Sequence, residues 1–422
     1  MAADALMPTD IHDSAAQKRT VKVLASAQVM GGIGVASGAA VGALLAADLA
    51  SDSFSGVASS ASAVGAAFLA IPVSRIMDAK GRRPGLMFAY LVGMIGAALV
   101  VSGAVIGFFP LALMGMLAFG GGNAATLQSR YAATDLASPE RRGRALAMVV
   151  WATTLGSVLG PNLSGPMGRV ASAVGVPKLA GPYMLSVAVF ASCMVLVATF
   201  LRPDPLLLAR QLHEGKGPAV ARKRMSISEA LDIIMVRPAA RIGLAAMMVG
   251  QAVMTSVMSM TPVHLKHHGH SIQLVGLVIS IHIAGMYAFS PFVGMAVDRF
   301  GRRPVIVLGG AILLTSFVLA GTAPGDGTAQ LSAGLMLLGL GWSCTMIAGS
   351  TLLSESIPAE VRPSVQGTAD LMMGMSGAAA GLLAGLVVGL GSYALLTVLA
   401  ACLVTPMIIS TLRMKRQPAL AV

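Results

Sequence analysis

Charged residues are scarce in this sequence. They make up 11% of the 422 residues, whereas soluble proteins carry about 25%. Because 56% of the residues are hydrophobic, this deficit excludes an ordinary soluble domain and predicts a membrane protein. A membrane-spanning helix needs about 20 mostly apolar residues. Twelve segments qualify, and we number them spans 1 to 12: 23–47, 55–74, 84–106, 110–130, 145–166, 180–201, 242–263, 272–297, 304–322, 329–352, 364–388 and 390–411.

Cysteine is also scarce. Cys193, Cys344 and Cys402 all fall inside predicted spans and lack the spacing of a metal site, so we expect neither a disulfide nor a bound metal. The sequence has no Gly-x-x-x-x-Gly-Lys-Ser/Thr run of the kind that binds nucleotide phosphates. We therefore expect a protein that is not an enzyme, holds no cofactor and draws its energy from an ion gradient.

Acidic residues are fewer than basic ones, which gives the chain a formal net charge of +12. Such a charge suggests nucleic-acid binding, but its distribution does not. With twelve spans and both termini on one side, every Lys and Arg except Arg169, Lys178 and Lys266 falls on or near that side. By the positive-inside rule this side is cytoplasmic, and both termini are expected there. The charge reflects topology, and no nucleic-acid partner is expected.

Two copies of a short basic turn organise the chain. Residues 74–84 read Ser-Arg-Ile-Met-Asp-Ala-Lys-Gly-Arg-Arg-Pro, and residues 294–304 read Gly-Met-Ala-Val-Asp-Arg-Phe-Gly-Arg-Arg-Pro, 220 positions later. The same offset relates Asp135 to Glu355, so the segments between have kept their lengths. A duplicated membrane chain usually forms two halves with the solute path between them.

The duplication sets the domain boundaries that we predict. The expected parts are a cytoplasmic tail at 1–22, a six-helix half at 23–201, a cytoplasmic linker at 202–241, a second six-helix half at 242–412 and a tail at 413–422. Within the linker, Ser226 followed by Glu229 forms a capping box, which predicts a short amphipathic helix through Met235.

The repeated turn resembles the loop signature of the major facilitator superfamily, Gly-x-x-x-Asp-Arg-x-Gly-Arg-Arg. The second copy matches it in full, and the first has Ser74 and Ala79 at two of its positions. The resemblance implies an all-α membrane fold with 12 transmembrane helices in two six-helix halves. It also implies transport by alternating access about a central site.

The signature residues are then expected to gate the cytoplasmic side. Arg82 can pair with Asp135, and Arg302 with Glu355. Asp78 can meet the N-terminus of span 11, where unpaired N–H groups favour an anion. The alternative is that these charges only set topology. The gating residues that we predict are Asp78, Gly81, Arg82, Arg83, Asp135, Arg142, Gly294, Asp298, Gly301, Arg302, Arg303, Glu355 and Arg362.

Glycines spaced four apart form ridges on three spans, and such ridges let helices approach closely in lipid. We expect the ridges of spans 5 and 11 to join the halves, with span 2 against span 11 and span 5 against span 8. Span 5 also resembles the fifth-helix motif of proton-driven drug antiporters in the superfamily, although an ordinary kinked span remains an alternative. The packing residues are Gly34, Gly38, Gly42, Gly156, Gly160, Pro161, Gly377, Gly381 and Gly385.

Ionisable residues inside spans are functional candidates, because burying them is costly. Asp370, His282 and Arg130 qualify as proton-coupling groups. Burial brings a carboxylic acid towards titration near neutral pH and takes an imidazole away from it, so we prefer Asp370. A permanent Asp370–Arg130 ion pair and a hydrogen-bonded, purely packing His282 remain open. Candidates for the substrate path are Asn123, Gln128, Asn162, Gln251 and Trp342.

The sequence therefore predicts a multi-pass transporter of the bacterial inner membrane, acting as a monomer in the lipid bilayer. Its expected partners are a proton and a small-molecule substrate. The resemblance of span 5 favours proton-coupled export of small, rather apolar compounds. One alternative is a proton symporter that imports a nutrient or metabolite. Another is a membrane sensor that binds metal or ligand through the four histidines of the loop His264–His270.

Overall fold

A computed structural model describes residues 15–50, 55–213, 225–267, 272–324, 327–358 and 360–414. All regular secondary structure in these ranges is helical, and twelve helices are long and apolar enough to cross a membrane, as predicted. Spans 1 to 6 are Ala15–Leu49, Ser55–Lys80, Arg82–Ile106, Phe109–Ala132, Arg142–Ala173 and Gly181–Phe200. Spans 7 to 12 are Pro238–His267, Ile272–Tyr287 with Ser290–Phe300, Arg302–Gly321, Thr328–Glu355, Arg362–Leu390 and Tyr393–Arg413.

Two short helices occupy the described part of the linker, one more than the sequence predicted. The first, Pro205–His213, follows span 6 directly. The second is Ile227–Val236, and both hydrogen bonds of its predicted capping box, between Ser226 and Glu229, are present. Span 8 also differs from the prediction. It consists of two helices, with a break before Ser290. Pro291 lies in the first turn of the second helix, where the missing backbone N–H of proline costs no helical hydrogen bond.

Each basic turn reverses the chain at one glycine. Gly81 has φ +96° and ψ 173°, and Gly301 has φ +92° and ψ 165°. Residues with a Cβ rarely adopt this backbone conformation. Consecutive spans therefore end and begin on either side of one residue, which holds the Asp and Arg of each turn at one end of the bundle. We call this the basic end.

Each half has an apolar core, and the halves meet along two pairs of helices. Leu146, Ala147 and Val150 of span 5 join the core of the second half at one of these pairs. Span 2 packs along span 11, and span 5 packs along span 8, which confirms the predicted pairing. A third apolar cluster lies between the halves and includes Tyr131, Leu353 and Val365. Ala230 and Ile234 of the second linker helix pack into this cluster, so the linker is part of the contact between the halves.

The glycine ridges of spans 1 and 5 pack inside the first half, so the prediction that the Gly156/Gly160 pair joins the halves is wrong. Both glycines lie against span 1, at Gly32 and Ala36. Pro161 is an exposed residue within the continuous helix of span 5. The ridge of span 1 receives aromatic rings from spans 4 and 6: Phe190 at Gly34, Phe119 at Gly38 and Tyr183 at Gly42.

The predicted ridge of span 11 does not join the halves either. A methyl group at Gly377 would lie 3.0 Å from Gln251 of span 7, and one at Gly381 would lie 3.4 Å from Thr255 of the same span. The contact with span 2 comes from two glycines nearer the basic end, Gly367 and Gly374. The glycine spacing showed that span 11 has a face of small residues, but it did not show which neighbouring helix packs against each part of that face.

Spans 2 and 11 touch at the basic end and diverge beyond it. Gly367 packs against Ser74, and a methyl group at Gly374 would lie 2.8 Å from Ala67. Gly385 lies on the same helix face as Gly367, yet a methyl group there would meet no atom within 4 Å. Spans 5 and 8 diverge in the same way: Gly143 contacts span 8 at the basic end, whereas Gly165, farther along span 5, has open space around it. The bundle is therefore closed at the basic end and parted at the other.

Candidate functional site

Arg82 forms the centre of a buried network that crosses between the halves. Its guanidinium holds both oxygens of Asp135, with Nε 2.7 Å from Oδ2 and Nη2 3.0 Å from Oδ1, as the sequence predicted. Nη2 also donates to Oε1 of Gln366 at 2.8 Å, and Gln366 lies on span 11. Arg82 is fully buried. Sequence reasoning missed Gln366, although it lies one helical turn before Asp370 on the same span.

The second copy forms a similar but more exposed network. Arg302 holds Glu355 through Nε at 2.8 Å and Nη2 at 2.5 Å, which is the predicted pair. Its Nη2 also donates to the backbone carbonyl of Pro139, in the loop after span 4. Arg142 of span 5 lies 3.9 Å from Glu355. Both arginine–carboxylate pairs thus belong to clusters that tie one half to the other.

The two repeated aspartates lie at the N-termini of spans from the opposite half, but with different partners. Asp298 accepts hydrogen bonds from the backbone N–H groups of Gly143 at 2.8 Å and Arg144 at 2.9 Å, at the start of span 5. Asp78 accepts instead from the hydroxyl of Ser364 at 3.0 Å, in the first turn of span 11. The prediction that Asp78 meets the N-terminus of span 11 is confirmed, but a side chain and not the backbone is the described donor there.

Arg210 of the first linker helix also holds Asp78, and sequence reasoning did not identify it. Its Nη2 lies 2.7 Å from the Asp78 carboxylate, and its Nη1 donates to the Asp78 carbonyl at 2.8 Å. Nη2 also donates at 3.0 Å to the carbonyl of Glu360, just before span 11. One arginine therefore connects the end of span 2 to the start of span 11. Nothing in the linker sequence signals this role, because Arg210 belongs to no repeated motif.

Beneath these networks, Asp370 of span 11 meets three residues of span 4. Its Oδ1 lies 2.5 Å from Nη2 of Arg130 and 3.3 Å from the hydroxyl of Tyr131. Gln128 donates to Oδ2 at 2.9 Å. Asp370 and Arg130 are almost completely buried. The structure thus contains the Asp370–Arg130 pair and adds Tyr131, which adjoins Arg130 in the sequence and was overlooked.

His282 lies apart from this cluster. Its ring is buried, and Nδ1 lies 2.9 Å from the backbone carbonyl oxygen of Leu335 in span 10. Nε2 has no hydrogen-bond partner among the described residues. Both neighbouring elements belong to the second half, so this contact does not link the halves. The arrangement agrees with the packing alternative for His282.

The candidate path residues fall into separate groups. Gln251 accepts a hydrogen bond from Nε1 of Trp342 at 2.9 Å and donates to Thr255 at 3.2 Å, within the second half. Asn123 donates to Ser62 of span 2 at 3.0 Å. Gln128 belongs to the Asp370 cluster. Asn162 is exposed and donates to a carbonyl of its own helix, Val158, at 2.6 Å.

Three arginines predicted as gating residues make other contacts. Arg303 donates to backbone carbonyls at the end of span 12, in its own half, which stabilises a helix C-terminus. Arg83 contributes only its backbone N–H, to Asp204 at 2.7 Å, among the contacts described. Arg362 donates to the carbonyl of Ile357 at 3.2 Å. Among the contacts described, Arg303 and Arg83 do not bridge the halves, because a repeated residue can face outward or towards its own half. Arg362 interacts electrostatically with Arg82, Asp135 and Arg142, so its gating role stays a prediction.

The predicted histidine loop is only partly described. His268 and His270 lie outside the described residues, and the ring of His264 stacks on Tyr393 with 4.5 Å between centroids. Among the residues that the structure covers, no group of three or more His, Cys, Asp or Glu side chains could hold a metal ion.

Comparisons with known proteins agree with this architecture. A family model described as Major Facilitator Superfamily matches residues 23–274 and 242–421. The uncharacterized MFS-type transporter YddS of Bacillus subtilis is 39% identical over 92% of this chain and 88% of its own. The riboflavin transporter RfnT of Brucella anthropi is 26% identical over 76% and 77%, respectively. The multidrug resistance protein MdtL of Escherichia coli is 32% identical, over 21% of this chain and 22% of its own.

Solved structures share the fold at low sequence identity. The human organic anion transporter MFSD10 superposes with a TM-score of 0.76 at 17% identity, covering 94% of this chain and 99% of its own. The proton:xylose symporter XylE gives a TM-score of 0.74 at 15% identity, with coverages of 93% and 95%.

Proposed function

We propose that this chain, which belongs to the major facilitator superfamily, is a proton-coupled secondary transporter that exports small, rather apolar compounds. The chain is a multi-pass membrane protein. We assign its basic end and both termini to the cytoplasm, because the positive-inside rule favours that orientation in the inner membrane. The described conformation then faces outward, with its cytoplasmic end closed.

The observation that carries this proposal is the buried Asp370–Arg130 pair. One partner belongs to each half, and the side chains of Arg130 and Asp370 are only 2% and 0% exposed. Separating the halves at this level removes the partner of each charge, and leaving one buried charge unpaired costs about 3–5 kcal/mol. Protonation of Asp370 removes the carboxylate's share of this cost, because a neutral carboxylic acid no longer requires Arg130. The guanidinium of Arg130 keeps its hydrogen bond to the hydroxyl of Tyr131, 3.1 Å away on its own span. Opening of the basic end is thereby linked to the binding of one proton.

Export of apolar compounds rests on two further arguments. The motif in span 5 resembles that of drug antiporters, and the MdtL match, though limited to 89 residues, points the same way. The amides of Gln251 and Asn123 already make hydrogen bonds within the protein. They are therefore poorly suited to recognise a strongly polar solute, and an apolar solute that needs few hydrogen bonds suits such a path.

Transport assays with Asp370→Asn test the proposal. Solutes would first be identified by thermal-shift screening of the purified protein against several hundred metabolites and antibiotics. Their flux would then be measured in inside-out vesicles under an imposed pH gradient. We expect wild type and His282→Gln to accumulate solute, and Asp370→Asn to lose gradient-driven flux while retaining solute exchange. Asp48→Asn, which changes an exposed carboxylate of span 1, is the control. Gradient-driven flux in Asp370→Asn would exclude this residue as the proton carrier.

Import of a nutrient or metabolite by proton symport is the second candidate, and the similarity to RfnT, which is named as a riboflavin transporter, supports a metabolite as the solute. Riboflavin is the natural probe for this alternative. Uptake into right-side-out vesicles under an inward proton gradient, without accumulation in inside-out vesicles, would establish import. A protein that binds metal through its histidine loop and moves no solute would instead support the sensor alternative.

A further inference from the structure

A groove on the outer surface of the first half does not belong to the transport machinery. It lies between spans 3 and 6 near the basic end and has a volume of about 450 Å³. Its walls are apolar apart from Arg83. Large apolar side chains such as Ile95 and Val195 are exposed farther along the same two spans, as expected for helices that face lipid. The residues that line the groove are Arg83, Pro84, Met87, Phe88, Leu91 and Met194.

The guanidinium of Arg83 has no hydrogen-bond or ion-pair partner among the described residues, and its Nε is shielded from water. The repeat shows why. The equivalent Arg303 donates to backbone carbonyls at the end of span 12. At the end of span 6, the carbonyl of Phe200 is already taken by Arg19, whose Nε lies 3.0 Å away. Arg83 is thus left with its charge at the edge of an apolar groove.

We propose that this groove binds an anionic phospholipid, with the phosphate against Arg83 and one acyl chain along Met87, Phe88 and Leu91. A partly buried arginine without a partner favours an anion, and phosphate suits its fork of donors. The apolar walls favour a long hydrocarbon chain over a free ion, which would make no apolar contact with them. Basic residues at a membrane surface attract anionic lipids. A phospholipid satisfies the arginine and the groove together.

Fluorescence quenching in reconstituted protein tests the proposal. Ile95→Trp places a reporter one helical turn beyond Leu91, while Trp151→Phe and Trp342→Phe remove both native tryptophans. Quenching by brominated phosphatidylglycerol is compared with quenching by brominated phosphatidylcholine. We expect about a fivefold preference for the anionic lipid, which corresponds to ~1 kcal/mol for one basic side chain. Arg83→Gln should reduce the preference to about one, and Arg83→Lys should keep most of it.

The matched control is Arg202→Gln, at an exposed arginine beside the same end of span 6 that donates to its own helix. This variant should keep the preference. An equal loss in both glutamine variants would show a general surface-charge effect and overturn the proposal, as would a preference that survives in Arg83→Gln. Displacement of the brominated lipid by excess inorganic phosphate would also overturn it, because the acyl chain would then contribute nothing. Elution of each variant as a single gel-filtration peak verifies that it has folded.

Discussion

The contacts of Arg210 predict that the linker helps to hold the basic end closed. Arg210→Gln removes the charge that bridges Asp78 in the first half and the carbonyl of Glu360 in the second. Glutamine is shorter and neutral, so it can keep at most one of the contacts. We expect this substitution to favour conformations in which the basic ends of spans 2 and 11 separate.

The size of the effect follows from burial. The side chains of Arg210 and Asp78 are 6% and 13% exposed, so water screens their interaction only weakly. A hydrogen bond to a charged group contributes about 1.5–3 kcal/mol, and the residual glutamine contact argues for the lower end. A change of ~1.5 kcal/mol shifts the ratio of closed to open basic ends about tenfold.

Pulsed electron paramagnetic resonance measures this ratio directly. Lys80 of span 2 and Arg241 of span 7 are exposed at the basic end of opposite halves, so Cys at both positions can carry spin labels. Cys402→Ser removes the one exposed cysteine, since Cys193 and Cys344 are buried. In Arg210→Gln the population with the longer label distance should rise about tenfold relative to the closed one.

Two comparisons decide whether the reasoning holds. Arg202→Gln removes an arginine from the same segment that contacts only its own helix among the contacts described, and should leave the distances unchanged. Asp78→Asn removes the main partner of Arg210, so adding it to Arg210→Gln should produce little further change. An unchanged distance distribution in Arg210→Gln, or fully additive effects in the double variant, would refute a latch built on this pair.

Two further predictions follow from the glycines. Gly367→Leu should open the basic end in the same distance measurement, because Ser74 already occupies the space next to this glycine. Gly385→Leu, on the same helix face, should leave the basic end closed. Equal effects of the two substitutions would contradict the divergence of spans 2 and 11. Gly301→Ala should lower the thermal unfolding midpoint, since its backbone conformation costs about 1–3 kcal/mol for other residues. Gly107→Asn should cost much less, because Gly107 has φ +69° and ψ 26°, a region that asparagine tolerates; equal losses would refute the distinction.

Much of the fold could be predicted because its determinants are local or repeated. Twenty apolar residues form a helix in lipid whatever their neighbours, and the offset between the two basic turns requires equivalent halves. The Arg82–Asp135 and Arg302–Glu355 pairs followed from the same offset. Each joins the start of one helix to the end of the next helix or to the loop just after it, and this short separation leaves few alternative partners.

The errors arose where one pattern allows several neighbours. A glycine ridge shows that one face of a helix lacks side chains and can pack closely against another helix. It does not show which helix packs there: span 1 or span 8 for Gly156, and span 2 or span 7 for Gly377. Equivalence of the repeats also failed for Arg83. Arg19, near the start of span 1, donates to the end of span 6, and the residue 220 positions later is Ala239, which cannot make this contact. A partner that only one copy of a repeat contains is invisible to reasoning by symmetry.

The same asymmetry changes how the basic end can open. Asp298 is held by backbone N–H groups of span 5, which every conformation with an intact helix provides, so this contact depends only on the distance between spans 5 and 8. Asp78 is held by side chains, and one of them belongs to the linker. Opening on that side must therefore also displace the helix Pro205–His213 or break its arginine contacts. The two halves are equivalent in fold, but of the two described aspartate contacts only that of Asp78, between spans 2 and 11, includes a residue of the segment that joins the halves.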